Sequence, residues 1–597
     1  MLRAGESERL AGRKAWFVLA ALAAILLTLW SLRFVATRHL LAGHRPEYHA
    51  LRVLLVADIW RNGEIIPRWV PALAGGLGYP LFIYYGWLAY AFAAWFHVLG
   101  LGPVSALNAV TIAAALALAV GAWRLGRELG GKAGGFWAWA LFAFAPYQLS
   151  NLFVRANYPE YVAGAFAPWA LWAMHRTVTG RGRAGLPLCA AFLAAIVLCH
   201  NVSGLTLGAT VGAAGLLFAA TLPAGERKRG MGRAVSACGA AALLCTFFWL
   251  PILLGRHDVH LSDDFNRYLD YRLHFLQPRQ LVATGWGYGI SVPGPSDTMP
   301  LQLGIPQVLV FLGFAPLAVV LARRSAWRAR VRLAVFALAG LGLAFLTTQW
   351  SAPLWTVLAP LALLQFPWRL HLPGTLLAAT AGALAVRVFA APRWRRLRWL
   401  RFEAMLATLA AVIVAAASLP YCRPLATYVC GEACLRQLLA LGYYTTSIQD
   451  EFRPAWAHDL ETLGKLMRNE HATLDGVPLP EARLPGADER GHFTLRTQTE
   501  RPGELGLPIF WFPGWSITVD GVAQPAYPCA GTGVLCTRLA AGTHTLTAAW
   551  RPTLVYHLGV AISLLAFAGL VLVVIKRKPP VAGSLGAASA SATPHGR

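Results

Sequence analysis

The residues best equipped for chemistry fall in four short clusters. The first, His44-Arg-Pro-Glu-Tyr-His49-Ala-Leu-Arg52, sets Glu47 between two histidines with Arg52 one turn further on, and Asp58 follows. The second is Arg155-Ala-Asn157-Tyr158-Pro-Glu160-Tyr161, the third His200-Asn201, and the fourth Gln365-Phe-Pro-Trp-Arg369. Carboxylates, imidazoles and guanidinia brought together suit transfer of a group from an anionic lipid carrier. A carboxylate can deprotonate an acceptor hydroxyl, and guanidinia offer forked hydrogen bonds to a departing phosphate. Glu47 is the expected base, with His49 or His44 to orient it. Arg369, Arg155 and Arg52 are the expected phosphate ligands, with Asp58, Tyr158, His200 and Asn201 as further candidates. Three of these clusters also have a plainer reading. The first reads as a solvated loop, Pro159 and Glu160 as a helix cap, and Arg369 as an interfacial anchor. Capping does not explain Arg155.

Whether these clusters can meet depends on the elements that carry them. The chain has 597 residues, 57% hydrophobic and 13% charged, which excludes an ordinary soluble protein and predicts a polytopic α-helical membrane protein. A net charge of +25 would suit nucleic acid, but the basic residues sit in short clusters between apolar runs, as cytoplasmic loops do, so no nucleic-acid partner is expected. Fourteen apolar runs are visible from 15–35 to 554–575, and they cannot all cross without placing Arg124, Arg127 and Lys132 outside. Treating 81–101, rich in Tyr and Trp, as a re-entrant or interfacial element, and 354–364 as too short, leaves about twelve transmembrane helices. Every basic loop then lies in the cytoplasm and all four clusters lie on the opposite face.

This topology divides the chain into a transmembrane domain, 1–420, with a long outer loop at 36–102, and an outer domain at 421–553. A last transmembrane helix, 554–575, and a disordered cytoplasmic tail, 576–597, complete it. Within the outer domain, 491–552 alternates as strands and predicts a small β-sandwich, with Asp520-Gly521 as a hairpin turn. Cys189, Cys199, Cys238 and Cys245 lie in apolar runs and read as small hydrophobes; Cys529 and Cys536 flank a Gly-rich turn and are placed to pair in an oxidising compartment.

Taken together, the early carboxylate in a long outer loop, the Gly78-Tyr-Pro-Leu-Phe element and a second carboxylate two spans later resemble the GT-C superfamily of polytopic glycosyltransferases. More narrowly, Glu47-x-His49-x-x-Arg52, Gly63-x-Ile-x-Pro-Arg-Trp and Phe366-Pro-Trp-Arg look like bacterial membrane proteins labelled 6-pyruvoyl-tetrahydropterin synthase-related. The stretch Phe512-Pro-Gly-Trp-Ser-Ile-Thr-Val-Asp-Gly521 is similar to the extracytoplasmic domain of YfhO-type proteins. The resemblance implies a GT-C-like fold in the bacterial inner membrane with a periplasmic active site. It implies an inverting glycosyltransferase with a polyprenyl-phosphate sugar donor and an envelope lipid, glycan or polymer acceptor. Glu47 matches the first-loop acid, usually Asp in such proteins, and Glu160 the second acid by position. No tight Asp-x-Asp pair stands in the first loop, so no metal or other cofactor is expected. The alternatives are a non-catalytic envelope scaffold whose β-domain binds glycan or a partner, and a lipid or oligosaccharide transporter.

Overall fold

The computed structural model describes residues 2–576 apart from 183, 261–267, 295, 323–325, 390–402, 442–445, 447–450, 459–469 and 487–489. Arg323, most of the basic run 387–401 and the tail expected to be disordered therefore lie outside the described residues.

The chain enters through α1 (Leu2–Ser31), a short strand β1 (Leu40–Leu41) and α2 (Pro46–Arg61). The aromatic run expected not to cross is broken into α3 (Leu81–Tyr84) and α4 (Leu88–Val98). Next comes α5 (Pro103–Ala143), which is two helices folded back on each other. A Cβ on Gly126 would lie 2.3 Å from the Gly134 carbonyl, whereas residues eight apart in one straight helix stand about 12 Å apart. The turn is made at Gly131, whose φ of 74° and ψ of −167° only glycine adopts readily.

Then follow α6 (Pro146–Phe153), α7 (Tyr158–Val178), α8 (Gly185–Cys199), α9 (Asn201–Ala220), α10 (Ala224–Leu244) and α11 (Thr246–Leu254). The last two are bent by 70° where they join. Beyond a long loop come α12 (Ile305–Leu309), α13 (Ala315–Leu321), α14 (Trp327–Leu346), α15 (Ala352–Val357), α16 (His371–Phe389) and α17 (Glu403–Ala417). Among the described residues, six helices are long and apolar enough to cross a membrane, or seven with the bent pair, and the one counted as α5 is a folded-back hairpin. The run at 354–364 is not a spanning helix but α15 followed by a 3-10 turn.

The segment after α17 holds β2 (Thr427–Tyr428) and α18 (Glu432–Ala440), followed by nine strands: β3 (His471–Leu474), β4 (Val477–Arg483), β5 (His492–Thr499), β6 (Gly503–Phe510), β7 (Trp515–Val519), β8 (Val522–Gln524), β9 (Tyr527–Pro528), β10 (Val534–Leu539) and β11 (Gly542–Trp550). Two antiparallel sheets form, in the orders β4-β3-β6-β10-β9 and β5-β11-β7-β8. The strands begin earlier than 491. Asp475-Gly476, both at positive φ, turns β3 into β4, a hairpin signal the alternation in 491–552 had overshadowed. Asp520-Gly521 makes the expected turn between β7 and β8. Cys529 and Cys536 are paired, as are Cys430 and Cys434, while Cys422 is a buried free thiol. The chain ends its described course in α19 (Leu554–Lys576).

The first outer loop is fastened to this sheet region. Leu40 pairs with Tyr428 across β1 and β2, the Phe510 amide donates to the Leu77 carbonyl at 2.6 Å, and the buried Arg490 donates to the Gly76 carbonyl at 2.9 Å. Trp69 sits among Phe512, Trp515 and Trp550, with ring centroids 5.9 to 6.3 Å away. Gly78 must be glycine, because its φ is +79° and a Cβ there would meet the Trp69 ring at 2.3 Å.

Candidate active site

The four clusters do converge. A cavity of about 340 Å³ is lined from α2 and the two residues before it by His44, Arg45, Tyr48, His49 and Arg52, from the α6–α7 turn by Arg155 and Asn157, from the start of α9 by His200 and Asn201, and from the turn before α16 by Gln365 and Arg369. The α3–α4 element supplies Tyr84 and Tyr85, and the segment after α18 supplies Thr446, Glu451 and Phe452.

Position around α2 decides which of its residues matter. His49 and Arg52 are three apart and share a face, whereas residue 47 lies about 200° round the helix from residue 49. Glu47 accordingly does not line the cavity. It accepts from the Tyr428 hydroxyl at 3.0 Å and lies 3.8 Å from Arg45, its side chain 17% exposed. The structure thus sets Glu47, expected as the base, apart from the cavity that gathers the other clusters. Asp58 is also elsewhere, paired with Arg61 at 2.9 Å and Arg436 at 3.3 Å. Among the described residues, the carboxylate that lines the cavity is Glu451, whose buried Oε2 has no hydrogen-bond partner.

Arg52 is buried without a carboxylate partner among the described residues. Nη1 donates to the Tyr90 hydroxyl at 2.8 Å, Nε to Thr446 Oγ1 at 3.3 Å, and Nη2 to the Thr446 carbonyl, while Tyr85 lies under the guanidinium at 4.2 Å. His49 Nδ1 contacts the same Tyr90 hydroxyl at 2.8 Å, and its ring is edge-on to the buried Tyr158 at 5.5 Å. Nε2 is the His49 nitrogen left for a ligand. Burial, then the Arg52 charge and more weakly Arg155, hold the His49 pKa well below the ordinary imidazole value, so the ring is neutral at pH 7. Burial and Arg155 lower His44 as well.

Arg155 is matched. It donates to Glu160 at 2.8 Å and to Asn151, and stacks over Trp368 at 4.6 Å. Glu160 also accepts from Asn157 Nδ2 at 2.9 Å and from the Tyr147 hydroxyl at 2.5 Å. So saturated, and buried behind the lining, Glu160 is a counter-charge for Arg155 more than a free base. Asn157 is the N-cap of α7, with its side chain accepting from the Glu160 amide. His200 caps α9 and holds Ser203 Oγ at 2.8 Å, and Asn201 donates to the Tyr84 carbonyl at 2.7 Å.

Arg369 is the least satisfied of the cations. Nη1 donates to the Leu364 carbonyl at 2.9 Å and to Gln365 Oε1 at 2.7 Å, but Nε is buried with no partner, and no described carboxylate lies within 4.0 Å. The backbone around the cavity is unusual too. Arg45, Gln365 and Thr446, all lining it, and Ala156, between Arg155 and Asn157, have φ between 50° and 63°. Non-glycine residues persist there only where their surroundings compel it, and such positions gather at ligand sites.

Residues 82–291 match a family model. Its description is "6-pyruvoyl-tetrahydropterin synthase related domain; membrane protein". No curated protein matches the sequence. Among solved structures, the chain is similar to the mycobacterial arabinofuranosyltransferase AftD at 17% identity and a TM-score of 0.43, over 69% of this chain and 27% of that one. It is also similar to ArnT from Cupriavidus metallidurans bound to undecaprenyl phosphate, at 13% identity and a TM-score of 0.36, over 72% of this chain and 76% of that one. The chain thus spans about a quarter of the length of AftD.

Glu451, Thr446, Tyr85 and Tyr90 were not singled out by sequence. The tyrosines did carry a signal, since the aromatic density of 81–101 marks it as a wall element. Nothing local distinguishes Glu451 from other acids of the outer segment.

Proposed function

We propose that the protein is a glycosyltransferase of the bacterial inner membrane. It moves a sugar from a polyprenyl-phosphate carrier to a hydroxyl of an envelope lipid, glycan or polymer on the periplasmic face. The observation that carries this reading is the pair Arg52 and Arg369, two guanidinia that face one cavity with no carboxylate partner among the described residues. Keeping a charge in such a place without a counter-ion costs several kcal/mol, about the size of a desolvation penalty, and a phosphate supplies the missing charge. Val202, Ile252, Leu269 and Leu363 give the cavity an apolar side suited to the first isoprene units of the carrier.

In this reading the acceptor oxygen attacks the anomeric carbon and the carbon–oxygen bond to phosphate breaks. The bonding pair leaves on the phosphate oxygen, where Arg369 and Arg52 stabilise it. The acceptor proton passes to the carboxylate of Glu451, which lines the cavity. His49, neutral and tethered through Nδ1, offers Nε2 to a phosphate oxygen. The disulfides at Cys430–Cys434 and Cys529–Cys536 fit an oxidising compartment on the cavity's side of the membrane. The test is sugar transfer from polyprenyl-phosphate sugars to membrane acceptors by purified protein. Arg52→Ala with Arg369→Ala should abolish transfer, and unchanged transfer in the folded double variant would reject the reading.

A further inference from the structure

The helices that frame the outer cavity carry a second set of arginines at their other ends. Helix α7 runs from Glu160 to His175 and Arg176, α9 from His200 to Thr221, and α16 from just after Arg369 to Arg387. Helix α14 adds Arg332 near its start, and the α5 turn adds Glu128. Glu128, His175, Thr221, Arg328, Arg332 and Arg387 line a void of about 240 Å³ that is distinct from the outer cavity and shares no lining residue with it. A neighbouring void of about 350 Å³ shares Glu128 and Arg181 with the first and adds Arg124, Arg127 and Arg176. With α7 about 30 Å long, the two ends lie on opposite membrane faces.

Charge is unbalanced here. Glu128 is the one carboxylate lining either void among the described residues, and it is already engaged by Arg181 at 3.1 Å and Arg176 at 3.6 Å. Arg332 instead donates to Thr221 Oγ1 at 2.7 Å and lies 5.3 Å over the Phe218 ring. Among the described residues, Arg387 donates to the Leu129 carbonyl at 3.3 Å. His175, which lines the first void, is 4% exposed, and its Nδ1 is buried with no hydrogen-bond partner; the nearest carboxylate oxygen is 3.7 Å away.

Topology alone needs positive charge in inner loops, in any arrangement and as Lys or Arg. It does not require arginines from separate helices to surround a void with a buried, unpartnered imidazole. Guanidinium forks are suited to phosphate oxygens as ammonium groups are not.

We propose that this inner pocket binds a phosphate ester, held by Arg332, Arg387 and Arg328 and contacted by His175. The pocket takes a headgroup-sized anion, supplied by an anionic phospholipid of the inner leaflet or by a soluble phosphate compound. The inference does not rest on the proposed transferase activity.

The test is binding to the purified full-length chain, read by native mass spectrometry and by thermal unfolding. One arm uses nanodiscs of phosphatidylglycerol against phosphatidylcholine, the other inorganic phosphate in phosphatidylcholine nanodiscs. Retention and stabilisation by phosphatidylglycerol alone identifies a lipid headgroup, and stabilisation by inorganic phosphate identifies a soluble ligand. Arg332→Gln with Arg387→Gln should weaken the effective ligand at least about tenfold. Arg387→Lys, which keeps the charge and the fold but loses the fork, should weaken it measurably. Arg227→Gln with Lys228→Gln, in the first turns of α10 and outside both void linings, should leave it unchanged. Equal binding by all variants, or stabilisation by neither anion, would overturn the proposal.

Discussion

The two ends of the same helices solve the problem of concentrated arginine differently. At the outer end Arg52 is buried and held by tyrosine, threonine and a carbonyl, and the surrounding non-glycine backbone is forced into left-handed conformations at Arg45, Ala156, Gln365 and Thr446. At the inner end the left-handed positions are Gly131, Gly180 and Gly182, which adopt them at little steric cost, and most of the arginines are exposed. Among the described residues, strain of about 1–3 kcal/mol per residue is thus concentrated at the outer end. Pre-organisation of this kind serves a site that must hold reacting groups in a fixed geometry, whereas the inner end needs only complementary charge.

The largest effect expected from this contrast is at Glu451. Glu451→Gln should lower sugar transfer by about 10²- to 10⁴-fold while carrier binding persists. Glu47→Gln, on the other face of α2, should stay within a few-fold of wild type; steady-state transfer rates on folded protein separate the two, and the reverse order would return the base to Glu47. Next in size is the buried ion pair behind the cavity. Glu160→Gln leaves Arg155 without its counter-charge and should destabilise the protein by about 3–5 kcal/mol, read as a lowered unfolding midpoint in detergent.

That contrast also shows what was legible in the sequence. Basic loops and apolar runs placed Arg155, His200 and Arg369 at one end of their helices, because the helical rise per residue makes span length and parity readable. Rotation about α2 was not, since Glu47 and His49 are both polar neighbours and only packing against Tyr428 and Tyr90 tells them apart. Glu451 reaches the cavity through tertiary contacts of a segment about four hundred residues downstream of α2, which no local pattern encodes. The β3–β4 hairpin is encoded locally by Asp475-Gly476, outside the alternating stretch 491–552.

Smaller effects sharpen the comparison of strain. Gly131→Ala meets no neighbouring atom but cannot relax its backbone, so it should cost about 1–3 kcal/mol at the inner end. Ala156→Gly at the outer end relieves a left-handed residue but loses a buried methyl, so stability should change by less than about 1 kcal/mol. Chemical denaturation of both variants checks the asymmetry.

A separate effect is on pH. His44 and His49 have lowered folded-state pKa values, so below the ordinary imidazole pKa of about 6.5 the unfolded chain binds protons that the folded one refuses. Their contribution is fully present above that pH and is lost as pH falls, by up to about 1.4 kcal/mol per unit for each ring. His49→Gln should flatten the acid side of the stability profile; an unchanged profile would place the titration elsewhere.

The central claim, that Arg369 and Arg52 make the outer cavity a phosphate site, is tested most directly by equilibrium binding of a polyprenyl monophosphate and the matching uncharged polyprenol to the full-length protein. Wild type should bind the phosphate and discriminate against the alcohol. Arg369→Lys should weaken phosphate binding about tenfold and Arg369→Ala further, with alcohol binding unchanged. Equal affinity of wild type for phosphate and alcohol, or equal phosphate affinity in all three proteins, would contradict the account.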